Sequence, residues 1–246
     1  MRPGICSVTL RRQDIDSVVA ISAAAGLQAI EWGGDVHVPP GDDAAADRAR
    51  KRTADAGLAV ASYGSYYRST PDERAAIAPV VATALRLGAP RIRIWAGTAG
   101  STEVSTADGA AVVDGAAAMV AAAAEVGIEV AFEFHRGTLT DDVASTNKLL
   151  AEVGGAGSYW QPPVGLPDDA ALETLEAVLP AVRAQHVFAW WPQNERLPLA
   201  ERAALWRRAF ALAPDMDALL EFVPDDDPDL VAREAATLHD LIHGGP

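Results

Sequence analysis

Residues 128–135 read IEVAFEFH, a run rich in Val, Ile and Phe in which a carboxylate, Glu133, is set between two phenylalanines. The pattern returns at residues 219–223, LLEFV, with Glu221 in the same setting. An ionised carboxylate inside an apolar strand is costly unless it is paired or bound to a cation. Arg93, in RIRIW, is one partner open to Glu133; a metal ion is the other. Gln161 in SYWQPP and His186 in QHVFAW sit in two further strand-like runs. Oxygen donors with a single imidazole suit a divalent ion such as Mn2+ or Mg2+, with Co2+ or Zn2+ as alternatives. Glu133, Gln161, His186 and Glu221 are therefore the candidate metal ligands. The plainer readings are a core histidine at His186 and, at Gln161, a hydrogen bond to backbone or substrate.

Four ligands on four segments need a scaffold that brings strand ends to one point. A repeat supplies it. Helix-like stretches close on Gly26, Gly57, Gly88, Gly127 and Gly154, spaced 31, 31, 39 and 27 residues apart, and a β-branched or aromatic run follows each. Glycine closes a helix because it accepts the left-handed conformation, and the spacing is that of one βα unit. Runs at 4–10, 184–191 and 218–223 bring the strand count to eight. Thr70-Pro71-Asp72-Glu73 predicts a capping box and Asp227-Pro228 a second helix start. Strands alternating with helices imply parallel pairing and right-handed crossovers, so eight units predict one closed (β/α)8 barrel over residues 1–246. An open doubly wound sheet is the alternative, weakened because no GxGxxG or phosphate loop follows the first strand.

In such a barrel, chemistry gathers at the carboxyl ends of the strands. Those ends carry Glu31 and Trp32, then His37; Ser62, Tyr63 and Ser65; Arg93 and Trp95; Glu133 and His135; Trp160 and Gln161; His186, Trp190 and Trp191; and Glu221. The tryptophans either pack or stack on the apolar face of a sugar. His239 and His243 fall in the last helix and read as solvated surface.

Composition excludes several classes. A formal charge of −14 with only two lysines makes nucleic acid an improbable partner. No apolar run reaches the roughly 18–20 residues of a membrane span, the longest being Ala116–Ala124. No signal-peptide pattern opens the chain, so the expectation is a soluble cytoplasmic protein. A single cysteine, Cys6, rules out an internal disulfide. Dimers are the commonest soluble oligomer, and the sequence adds little to that prior.

Taken together, GLQAIEWGGDVHVPPG, AFEFHRGTLTDD, SYWQPPVG, QHVFAW and LLEFV resemble, in order and spacing, strands two, five, six, seven and eight of the sugar-phosphate isomerase/epimerase superfamily. These are the xylose isomerase-like TIM barrels. The resemblance implies a Glu, Asp, His, Glu set holding one divalent metal. Glu133, His186 and Glu221 match it; Gln161 stands where the Asp is expected, and an alignment shifted by two places Phe188 at the histidine position. The resemblance further implies proton abstraction next to a carbonyl through an enediolate, with Glu133 and Glu221 as the proton-transferring pair. It implies that His37, Arg93, His135 and Gln161 orient substrate hydroxyls and that Trp32, Trp95, Trp160 and Trp190 form the wall. A sugar isomerase or epimerase is the leading expectation. A dehydratase or keto-glycoside lyase on the same site, and a metal-free sugar-binding or partner-binding barrel, are the alternatives. The acidic loop PDDDPD after the last strand predicts an unphosphorylated substrate, since phosphate sites there use backbone amides and Arg.

Overall fold

A computed structural model describes residues 1–244. Eight strands, β1 (Arg2–Cys6), β2 (Ala29–Gly33), β3 (Ala59–Gly64), β4 (Arg91–Ile94), β5 (Glu129–Glu133), β6 (Ala156–Trp160), β7 (Val182–Val187) and β8 (Asp217–Leu220), pair in sequence order and close on themselves, all neighbours parallel. Eight α-helices follow them: α1 (Ile15–Ala24), α2 (Asp43–Asp55), α3 (Ile77–Leu87), α4 (Thr106–Ala124), α5 (Val143–Val153), α6 (Asp168–Val178), α7 (Ala203–Leu212) and α8 (Val231–His243). This is the expected (β/α)8 TIM barrel. The five glycines that mark the period all have positive φ, from 64° to 74°, the left-handed conformation in which a side chain is strained.

Strand alternation sorts the side chains into two cores. Ile30, Trp32, Ile92, Phe132, Trp160, Val187 and Leu220 face outward and pack against the helices. Cys6, Ala29, Ala61, Ala131, Tyr159, Ala184 and Leu219 fill the barrel, four of these seven being alanine. The small interior leaves room above it for long polar side chains.

Four helices start on side-chain caps, Asp14, Asp42, Ser105 and Asp142, each accepting from the backbone N–H three residues on. The expected box at Thr70 forms differently. Pro71–Ala76 is a 3-10 turn without a Thr70 side-chain cap, and Glu73 reaches back to the Arg68 N–H at 2.6 Å. At the second start, Asp227 caps a short 3-10 turn, Pro228–Leu230, that leads into α8. Helix α4 is long and apolar enough to cross a membrane by length and composition, a property missed when only the run Ala116–Ala124 was counted. Alanines supply much of that hydropathy, and Val112, Ala116, Met119 and Ala123 pack into the core beneath it.

Candidate active site

Residues two apart on a strand share a face, so the strand ends above the alanine-rich interior point their last inward side chains at one another. Glu31 follows Ala29 into the barrel, Arg93 follows Arg91, Glu133 follows Ala131, His186 follows Ala184 and Glu221 follows Leu219. All five are buried, His186 completely.

Arg93 organises one half of this cluster. Its Nε donates to Glu31 Oε1 at 2.9 Å and its Nη1 to Glu133 Oε2. Ser62 Oγ donates to Glu31 Oε2 at 2.6 Å, and Trp95 Nε1 to Glu133 Oε2 at 2.5 Å. The Tyr66 ring covers the guanidinium, whose carbon lies 5.0 Å from the ring centre. The cluster depends on Gly64, where a Cβ would stand 2.6 Å from Arg93 Nη2 and 3.0 Å from Glu31 Oε1. The salt-bridge partner foreseen for Glu133 is therefore present.

His186 organises the other half. Its Nδ1 lies 3.2 Å from Gln161 Oε1, 3.5 Å from Glu221 Oε2 and 3.8 Å from Glu133 Oε1. Its Nε2 lies 3.4 Å from Glu31 Oε1, although no well-formed hydrogen bond engages that nitrogen. Burial disfavours a charged imidazole, but the carboxylates of Glu221, Glu31 and Glu133 outweigh it and raise the His186 pKa to about 9. Burial lifts the Glu221 carboxyl to about 7, with Glu133 adding to the rise. Glu133 and Glu31 behave oppositely: burial raises both, yet the Arg93 charge overrides it and both sit below the ordinary carboxylate range.

The donor set fits a divalent cation. Glu133, His186 and Glu221 each offer a ligand atom within 4.8 Å of the other two, and the Gln161 amide oxygen faces the same imidazole nitrogen. Three buried carboxylates stand around one guanidinium and one imidazole, a surplus of negative charge that a cation would compensate. Phe188, the alternative ligand position, is not part of this set.

A cavity of about 510 Å3 opens onto the cluster, lined by Arg93, Trp95, Glu133, His135, Gln161, Trp190 and Glu221 among others. Three residues expected to meet substrate lie elsewhere. Trp32 is fully buried on the helix side, its Nε1 donating to Thr53 Oγ1 of α2 at 3.1 Å. Trp160 is likewise buried, bonded to Thr174 of α6 at 3.0 Å and edge-on to Trp206 of α7. Both neighbour an inward residue, Glu31 or Gln161, so alternation sends them outward. His37 has both ring nitrogens engaged, with Ser7 Oγ and Gln13 O, each at 3.0 Å, which secures the loop after β2. Trp95 does line the cavity, but His135 stacks on its ring at 4.8 Å and the Arg68 guanidinium lies 4.9 Å from its centre. Its indole N–H, rather than a free ring face, is what it brings to the centre.

Glu31 stands among the strand ends named from the sequence but was given no role there, although a carboxylate between Ile30 and Trp32 is the same signal that exposed Glu133. Tyr66, Phe222 and Asp141 also line the cavity; they come from loops, where periodicity carries no information.

Comparison with known proteins adds the family. The probable 3-DHS dehydratase AsbF of Bacillus anthracis shares the fold, with a TM-score of 0.83 at 18% identity over 97% of this chain and 99% of its own. A D-allulose 3-epimerase of Methylomonas sp. gives 0.75 at 14% identity, covering 98% and 97%. A xylose isomerase-like TIM barrel protein of Mycobacterium smegmatis, solved in complex with magnesium, gives 0.73 at 16%, covering 100% and 98%. At such identities these likenesses show the fold. No curated protein matches the sequence. The family model for the xylose isomerase-like TIM barrel matches residues 19–160, more than half of the chain, and the protein therefore belongs to the xylose isomerase-like TIM barrel family.

Proposed function

We propose that the protein is a divalent-metal-dependent isomerase or epimerase of a sugar or related keto-polyol, working by proton transfer at the carbon next to a carbonyl. The observation that carries this reading is the convergence of Glu133 and Glu221 on His186 Nδ1 at 3.8 and 3.5 Å, with Gln161 beside them. Glu133, Gln161, His186 and Glu221 would hold the ion. When bound, it would polarise the substrate's carbonyl and neighbouring hydroxyl oxygens.

Glu133 and Glu221 extend from different strands toward one point, so a substrate carbon between them can lose a proton to one carboxylate and gain one from the other. Arg93 and Trp95 both hold Glu133 Oε2, which leaves Oε1 as the oxygen facing the centre. Gln161 and His135 would orient hydroxyls. Glu31, beside His186 Nε2, would fix the ring so that Nδ1 stays turned to the other donors. The acidic turn after β8 supports an unphosphorylated substrate: Asp225 and Asp226 stand there, and Asp226 pairs with Arg196.

The test is NMR of candidate ketoses and aldoses in deuterium oxide with Mn2+ and protein. Solvent deuterium entering at the carbon next to the carbonyl, abolished by chelator and by Glu221→Ala, is the expected result. Elimination on the same site is a second reading, favoured by the dehydratase, whose fold agrees better than the epimerase's. Loss of water or of a substituent from the product would select it. A protein that takes up no metal and exchanges no deuterium would be a binding barrel.

A further inference from the structure

One side of the cavity is apolar in a way that a free sugar does not need. The cavity volume of about 510 Å3 is ordinary for a ligand site, whereas the carbons of a hexose nearly all carry oxygen and leave little for an apolar wall to cover. Above β6, β7 and β8, beyond Gln161 and Glu221, the lining includes Val164, Leu166, Phe188, Trp190 and Phe222. The three aromatic rings form a continuous wall, Phe188 to Trp190 at 5.0 Å and Trp190 to Phe222 at 5.4 Å between ring centres.

The wall is built at a cost. Phe222, directly after Glu221, has φ 57°, a left-handed conformation that a bulky residue keeps only where its surroundings enforce it. Its N–H donates to Thr9 Oγ1 at 2.9 Å, and the Arg196 guanidinium lies 4.4 Å from its ring centre while paired with Asp226. The Trp190 indole N–H is buried and has no hydrogen-bond partner among the described residues. Nothing in the proton-transfer chemistry requires this wall.

We propose that the substrate is a sugar bearing an apolar ring substituent, its sugar part over Glu133, Gln161 and Glu221 and its ring against Phe188, Trp190 and Phe222. The orientation rests on the isomerase reading, while the ring site stands on the wall itself. Burying a phenyl ring here is worth at least roughly tenfold in affinity.

The experiment is calorimetry on Mn2+-loaded protein with matched 6-O-methyl and 6-O-phenyl ethers of the common ketohexoses, which keep the carbonyl free, alongside deuterium exchange into these ethers and into the free ketoses. The expected result is a phenyl ether that binds roughly tenfold or more tighter than its methyl partner, with that ratio collapsing toward one in Val164→Asp and in Phe222→Ala. Two variants guard against one failing to fold. Equal affinities within every pair, or no binding by either member, would overturn the proposal. So would free ketoses that exchange deuterium as efficiently as ring-bearing ones, a result that leaves the isomerase reading intact. A phenyl preference without any deuterium exchange would uphold the ring site and remove the isomerase reading.

Discussion

Strands β4 and β5 each carry two charged inward residues, and the two ends of the barrel use them differently. At the amino ends, Glu129 receives Arg91 at 2.8 Å and Arg183 at 2.5 Å, and nearby Arg2 grips Asp217 through two hydrogen bonds of 2.7 and 2.9 Å. There the guanidiniums outnumber the carboxylates, and the groups are partly open to solvent. At the carboxyl ends, one guanidinium, Arg93, and one imidazole, His186, face Glu31, Glu133 and Glu221, all nearly excluded from water. A network that only holds strands together can complete its pairings. One that keeps buried charge in surplus is unfavourable for folding by itself and is explained by what it is kept for.

That contrast can be broken most severely at Arg93. Arg93→Met leaves Glu31 and Glu133 buried without their cation, and urea unfolding of the metal-free protein should show a loss of about 3–5 kcal/mol, partly recovered by Mn2+. A loss under about 1 kcal/mol would mean that the carboxylates are not held ionised by Arg93. Gln161→Asp adds a charged oxygen donor to the centre, and Mn2+ titration should show roughly tenfold tighter binding, or about 1.4 kcal/mol. Unchanged affinity would place Gln161 outside the ligand set.

Glu221→Gln sharpens the comparison by sign. Removing a surplus carboxylate should stabilise the metal-free protein by about 1 kcal/mol while abolishing metal uptake. Glu129→Gln at the other end should do the reverse, costing under about 1 kcal/mol because the pair is partly exposed, with metal content unchanged. Burial alone would raise the Glu129 carboxyl, but Arg91 and Arg183 hold it below the ordinary value of 4.5. Its contribution is therefore present above that value and is lost as pH falls below it. The thermal midpoint of Glu129→Gln should approach that of the wild type in acid, and a constant gap between them would count against the pairing.

The barrel was legible because its period is written in glycines whose conformation the fold requires, and the carboxylates because charge inside an apolar strand contradicts its surroundings. Strand bounds were less so: the run expected at 4–10 becomes β1 ending at Cys6 and a 3-10 turn over Ser7–Leu10. Trp32 and Trp160 face the helices rather than the cavity because each is the immediate neighbour of an inward residue and alternation turns it outward. His37, Tyr66 and Phe222 depend on loop geometry, and their partners, Gln13, Arg93 and Thr9, are distant in sequence or bound through backbone atoms. Gly64 was invisible for a different reason: its role is to supply no side chain where Arg93 and Glu31 need the space.

The seam between β1 and β8 has a consequence in time. Arg2 and Asp217 are 215 positions apart, and a ribosome adding about 5–20 residues per second takes roughly 10–40 s to travel between them. Until then the first strand keeps one free edge, and Glu31, Arg93 and Glu133 have been made without the strand that closes the barrel around them. Final closure thus waits for β8, and helper proteins that shield open strand edges have the most to do before it emerges.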